Sequence, residues 1–194
     1  MARLTVTDLM PLEQYARERN AFRERVLKHK ATRRLAVGPN ATWIFEDRLT
    51  VQYQVQEMLR TERIFEPEGI AEELESYNPM IPDGTNWKVT LLIEYPNEAE
   101  RRERLTQLKG IEDRCWVQVT GQQRVFAIAD EDLERENEEK TSAVHFLRFE
   151  LTPAMIAALR EGAELAVGID HPQYNQAIEP VRAAVRTSLL ADLS

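Results

Sequence analysis

Asn86-Trp87-Lys88-Val89-Thr90-Leu91-Leu92-Ile93-Glu94-Tyr95 decides the fold class. Trp87, Val89, Leu91, Ile93 and Tyr95 alternate with Lys88, Thr90 and Glu94, a period of two that gives a strand one core face and one polar face. Downstream, Asn97 with Glu100 three residues on forms a capping-box-like helix start, and Gly110 closes that mostly charged helix. Cys115–Thr120 and Arg124–Ala129 read as two further strands joined through Gly121-Gln122-Gln123. Ala143, His145, Leu147, Phe149 and Leu151 then share one strand face. Thr152-Pro153 opens a helix whose entry Leu151 and Ile156 can staple, and Gly162 ends it. Leu165, Val167 and Ile169 give a final strand, Asp170-His171-Pro172 turns the chain, and an amphipathic helix runs from about Pro180 to Leu193.

Upstream, residues 11–31 form a helix with Leu12, Tyr15, Phe22 and Val26 on one side. Arg34–Val37 and Thr42–Phe45 read as a hairpin across Gly38-Pro39-Asn40-Ala41. Glu46–Phe65 carries both a strand-like alternation at Val51, Tyr53 and Val55 and a helix-former composition; length and composition assign it as helix from about Thr50. A second helix from Glu68 ends near Tyr77, before Asn78-Pro79. The pattern is α+β: a single domain, residues 1–194, with a mixed, mainly antiparallel sheet of about six or seven strands and helices packed on it. The strand-helix-strand units 86–120 and 143–170 are long enough to join parallel strands, and a ferredoxin-like duplication is one reading of them.

Charge is segregated. Arg17–Arg34 holds eight Lys or Arg against two acids, a net of +6 in a chain whose total is −8, so the remainder carries −14. Asp130–Glu139 concentrates seven acids against Arg135. Such patches predict contact with each other, within one chain or across a homodimer, or with a partner. An acidic total argues against general nucleic-acid binding. No apolar run reaches the length of a signal peptide or membrane span, which makes a cytoplasmic protein the expectation. Cys115 is the single cysteine, so there is no internal disulfide.

The chemistry-bearing motifs are few. No glycine-rich dinucleotide loop or phosphate loop occurs, and no spacing of His29, His145 and His171 sets up a metal site. The sequence requires no cofactor, and no metal site is predicted. Candidate binding residues are Arg19, Arg23 and Arg25 on the basic helix, the turn pair Asp170-His171, and His145. The structural readings compete: a solvated helix face, a strand end before Pro172, and a core histidine. Folding could bring His145 near a carboxylate from Glu46–Glu75, a set that would suit iron, manganese or zinc. Cys115 beside Trp116 reads as a small buried hydrophobe.

Phe45-Glu46-Asp47-Arg48-Leu49-Thr50-Val51, Asn78-Pro79-Met80-Ile81-Pro82-Asp83-Gly84-Thr85-Asn86 and Glu138-Glu139-Lys140-Thr141-Ser142-Ala143-Val144-His145-Phe146-Leu147-Arg148-Phe149 carry a resemblance over nearly the whole length. The chain resembles the bacterial domain-of-unknown-function family 3501. That resemblance implies a cytoplasmic bacterial protein of uncharacterised activity, with oxidoreductase or iron–sulfur proteins as the expected neighbours, and supplies no site residues. Three expectations follow: an accessory or regulatory binding protein of a redox or oxidative-stress pathway; a metal-dependent enzyme with a His and carboxylate centre; and a small-ligand-binding domain whose pocket lies between sheet and helices near Trp43, Trp87 or Trp116.

Overall fold

The computed structural model describes residues 2–131, 135 and 139–194. In chain order its elements are α1 (Leu12–Lys30), β1 (Arg34–Ala36), β2 (Ala41–Glu46), α2 (Arg48–Glu62), α3 (Pro67–Tyr77), β3 (Asn86–Ile93), α4 (Glu98–Gln107) and β4 (Cys115–Val119). There follow β5 (Val125–Phe126), β6 (Ile128–Ala129), β7 (Val144–Glu150), α5 (Pro153–Arg160), β8 (Leu165–His171), β9 (Tyr174–Ile178) and α6 (Ala183–Leu190). The fold is α+β. Every strand pairing among the described residues is antiparallel, in two sheets ordered β1-β2-β3-β7-β6 and β5-β4-β8-β9.

That division corrects the expected connections. Both strand-helix-strand units, β3-α4-β4 and β7-α5-β8, pass from one sheet to the other, so neither makes a parallel pair and no ferredoxin-like duplication forms. Arg124–Ala129 is likewise not one strand. Val125–Phe126 pairs with β4 and Ile128–Ala129 with β7, so the chain changes sheets within it, as strands do at the corners of stacked sheets. The turn placed at Asp170-His171-Pro172 moves by two residues: β8 continues through His171, Pro172-Gln173 makes the turn, and β9 returns beside it. Most of β9 is exposed and polar, so it lacks the apolar alternation that betrays a strand.

Between the sheets lies the main core. Trp43, Phe45, Trp87, Leu91, Leu147 and Phe149 of the first sheet meet Val117, Leu165, Val167 and Ile169 of the second. Trp43 stacks on Phe149 with ring centres 5.3 Å apart, and Trp87 Nε1–H donates to the Leu189 carbonyl at 3.0 Å, which fastens α6 to β3. The opposite face of the first sheet is roofed by helices. Asp47 caps α2, its carboxylate accepting from the Leu49 and Thr50 amides, while Thr50 Oγ1 donates to Glu46 Oε2 at 2.5 Å. Thr90 Oγ1 donates to the other Glu46 oxygen at 2.7 Å, so a buried carboxylate on β2 joins β3 to the first turn of α2. Along α2, Val51, Val55 and Leu59 pack with Leu74 of α3 and with Leu4 and Ile81, and α1 adds Tyr15, Phe22 and Val26 against Leu49 and Tyr53. No helix among the described residues is long and apolar enough to cross a membrane.

Candidate functional site

Strand β7 presents different chemistry on its two faces, because successive side chains alternate. His145, Leu147 and Phe149 are buried toward the second sheet, while Phe146 and Arg148 look toward the helices.

On the helix side, a cavity of about 500 Å³ lies under α2 and α3, with Met58, Tyr77 and Met80 as its apolar wall and Lys88, Phe146 and Arg148 as its floor. Lys88 and Arg148 stand directly opposite each other on β3 and β7, a like-charge pairing that destabilises a sheet unless something offsets it. Arg148 is satisfied: Glu131 accepts from its Nε and Nη2, both at 2.8 Å, and Glu150 from its Nη1 at 2.6 Å. Those bonds hold the Glu131 carboxyl below its ordinary range. Lys88 has neither a hydrogen bond nor an ion pair among the described residues, and burial pulls its pKa down. Two further groups in the pocket are pushed toward their neutral forms. Burial, then the charge of Glu62, raises Glu73; burial, then Glu73, raises the Tyr77 hydroxyl.

On the other side, His145 is fully buried and ringed by oxygen atoms. Its Nδ1 is 2.6 Å from Asp130 Oδ2, and its Nε2 is 2.9 Å from Thr141 Oγ1, 3.1 Å from the Ser142 carbonyl and 3.7 Å from Glu112 Oε2. Asp130 is held by the Phe146 N–H, which donates to Oδ1 at 2.9 Å, and takes a left-handed backbone with φ 47°. The same Oδ1 is 3.3 Å from Arg135 Nε, and the Arg135 guanidinium lies 4.6 Å over the Phe146 ring, so Arg135 borders both the cluster and the pocket. Glu112, Asp130 and His145 are the metal-capable group among the described residues, with ligand atoms all within 4.8 Å of one another. The carboxylates come from the turn before β4 and the end of β6, not from Glu46–Glu75.

The other sequence candidates have separate places. Arg19 makes a two-point ion pair with Glu57 of α2, both bonds 2.7 Å, and Tyr15 donates to the same carboxylate. Arg25 lies 4.7 Å over the Phe22 ring, and Arg23 is exposed. Among the described residues, basic α1 thus docks within the chain through Arg19, on α2. Within the acidic stretch Asp130–Glu139, Asp132, Glu134, Glu136 and Glu138 lie outside the described residues, while Asp130 and Glu131 serve His145 and Arg148. Asp170 and His171 do not share a cleft: on β8 they alternate, Asp170 exposed and His171 buried. His171 Nε2 faces the Lys109 carbonyl at 3.1 Å, and its Nδ1 accepts from the Gln173 N–H at 3.2 Å, bonds that brace the β8-β9 turn. Cys115 is buried and donates to the Ile111 carbonyl, with burial driving its pKa well up, as suits a small hydrophobe. The tryptophans do not line the pocket.

Lys88, Arg148, Glu112, Asp130 and Thr141 escaped the sequence reading. Lys88 and Arg148 were visible only as polar positions of alternating strands, and their opposition depends on register. Glu112 and Asp130 are separated from His145 by 33 and 15 residues and carry no motif.

The family model described as a protein of unknown function, DUF3501, matches residues 3–193. A crystal structure of a novel protein of unknown function from Burkholderia pseudomallei K96243 is 49% identical, covers 100% of both chains and superposes with a TM-score of 0.95. No curated protein matches the chain. A family match over almost every residue, with the same fold in a half-identical relative, places this chain in family DUF3501, a family of unknown function.

Proposed function

We propose that the protein binds a small organic anion with an apolar body in the pocket between the first sheet and helices α2 and α3. The observation that carries this reading is Lys88: a partly desolvated ammonium, opposite Arg148, with no hydrogen-bond or ion-pair partner among the described residues. An anionic head group on Lys88 would offset the like-charge pairing, and the Tyr77 hydroxyl, pushed further toward its neutral form by burial, is a donor lining the same pocket. Met58, Met80 and Phe146 offer the apolar body a polarizable wall. Octanoate is the probe, a carboxylate with a flexible alkyl body that the cavity volume accommodates. Isothermal titration is expected to give one site per chain, and Lys88→Met to weaken it about tenfold or more, the loss of a charge-assisted hydrogen bond. Equal binding by the two proteins, or no heat from either, would overturn the reading.

An oxidoreductase or iron–sulfur partner, implied by the family resemblance alone, is a separate proposal. A low-salt pull-down from a bacterial lysate that recovers no such protein counts against it.

A further inference from the structure

Two side chains of opposite charge line the pocket under α2 and α3, and they do not meet. Lys88 comes from β3 and Glu73 from α3. Among the described residues neither makes a hydrogen bond or an ion pair, with the other or with any further group. Opposite charges attract more strongly in a partly desolvated space than in bulk water, and a lysine's flexible stem closes on a carboxylate within its reach. The walls of the pocket therefore hold this ammonium and this carboxylate apart.

The charges acting on each mark two ends. Lys88 lies among Glu131, Arg148, Asp83 and Glu150, on or beside β3 and β7. Glu73 lies near Glu62 of α2 and Glu72 of α3, and burial together with those two charges disfavours its ionised form. One end thus offers an ammonium and the other a carboxylate among acids, while Met58, Met80 and Phe146 give the same cavity its apolar lining. A ligand that satisfies both ends brings a negative group to Lys88 and a hydrogen-bond donor to Glu73. An ammonium suits Glu73 better than a hydroxyl does, because only the ammonium offsets the repulsion from Glu62 and Glu72. The cavity of about 500 Å³ leaves room between the two for a chain of several methylenes.

We infer that the pocket takes a linear ω-amino carboxylate, its carboxylate on Lys88, its ammonium on Glu73 and its methylene chain against Met58, Met80 and Phe146. This rests on the pocket reading proposed above and adds Glu73 as the residue that sets specificity for the far end of the ligand.

Isothermal titration compares ω-amino acids of six, eight and ten carbons with the unsubstituted fatty acid of each length. At least one ω-amino acid is expected to bind about tenfold more tightly than its unsubstituted counterpart, the gain of a charge-assisted hydrogen bond on Glu73. The ω-hydroxy acid of the same length is expected to show no such gain. Glu73→Gln keeps the side chain's size, removes its charge and is expected to erase the ratio between the two series within the variant; circular dichroism checks that it is folded. Octanoate bound by the wild type with no ω-amino acid favoured at any length overturns this inference and leaves the pocket reading standing. So does an ω-hydroxy acid that gains as much as the amine, or a folded Glu73→Gln that keeps the preference. No binding by either series overturns both readings. The wild-type comparison alone decides the matter if Glu73→Gln does not fold.

Discussion

Arg33 donates to the carboxylate of Asp192 inside the protein, joining the residue that precedes β1 to the end of the chain. Both side chains are almost wholly buried, at 2% and 1% exposure. Arg33 Nε also donates to the Phe45 carbonyl at 2.9 Å and Nη2 to that of Glu46 at 3.2 Å, and Asp47, 3.4 Å away, brings in His29 through a 2.5 Å contact. One guanidinium thus ties together the end of α1, the end of β2, the cap of α2 and the segment after α6.

Removing that guanidinium leaves buried carboxylates without their cation. Arg33→Met is expected to destabilise the protein by about 3–5 kcal/mol, and the double variant Arg33→Met/Asp192→Leu by less than Arg33→Met alone, because no charge is then stranded at Asp192. Urea unfolding of the three proteins measures this; a double variant less stable than the single one would contradict it.

The same pair makes stability depend on pH. Burial pushes the Asp192 carboxyl up to about 6, with Arg33 opposing it. Because this folded value exceeds the unfolded one of about 3.9, the carboxyl's contribution to stability is complete below about pH 4 and is lost as pH rises through about 6. Asp192→Asn is expected to flatten stability across that window, removing a slope of at most about 1.4 kcal/mol per pH unit. Glu57 and Glu131, held low by Arg19 and Arg148, act in the opposite sense and lose their contribution as pH falls through their depressed values. Denaturant titrations carried from about pH 2 to 8 separate the two effects; an unchanged profile in Asp192→Asn would refute the assignment.

Gly168 is required by Trp116, its partner in the neighbouring strand. A Cβ there would sit 2.4 Å from Trp116 Cζ2 and 2.8 Å from the Gln176 carbonyl oxygen, and the indole is itself covered by the Arg124 guanidinium at 3.8 Å. Gly168→Ala is expected to cost about 1–3 kcal/mol and to alter the near-ultraviolet circular dichroism of the tryptophans. A variant of wild-type stability would show that Trp116 can turn away.

Lys88→Met is expected to behave oppositely. Replacing a half-buried ammonium, unpaired among the described residues and opposite Arg148, with an apolar chain of similar length relieves desolvation and like-charge repulsion, so stability should stay level or rise by up to about 1 kcal/mol while octanoate binding falls. Loss of stability together with binding would mean that Lys88 serves the fold and not a ligand.

Much of the fold was legible because its signals are local. The alternation at Trp87, Val89 and Leu91, the Asn97 cap with its oxygen on the Glu100 amide, the Thr152-Pro153 helix start and the turn at Gly162 each depend on neighbours a few residues away. What failed shares a different cause. Strand β9 is polar because it is an exposed edge, and the 124–129 segment changes sheets because two layers must close against each other. Nor did the site show: His145 stood out as a residue but its partners did not, and Lys88 was only a polar position of an alternating strand.

By itself the sequence determined the α+β class, the order of the elements apart from β9 and the split at 124–129, and which face of the alternating strands is apolar, since these follow from side-chain period and turn chemistry. Tertiary structure alone decided that the strands form two antiparallel sheets, that Lys88 meets Arg148 across a strand boundary, and that Glu112, Asp130 and Thr141 surround His145. Register and sheet stacking set those relationships, and both depend on the whole core, where a shift of one residue would turn His145 toward the helices and Arg148 inward.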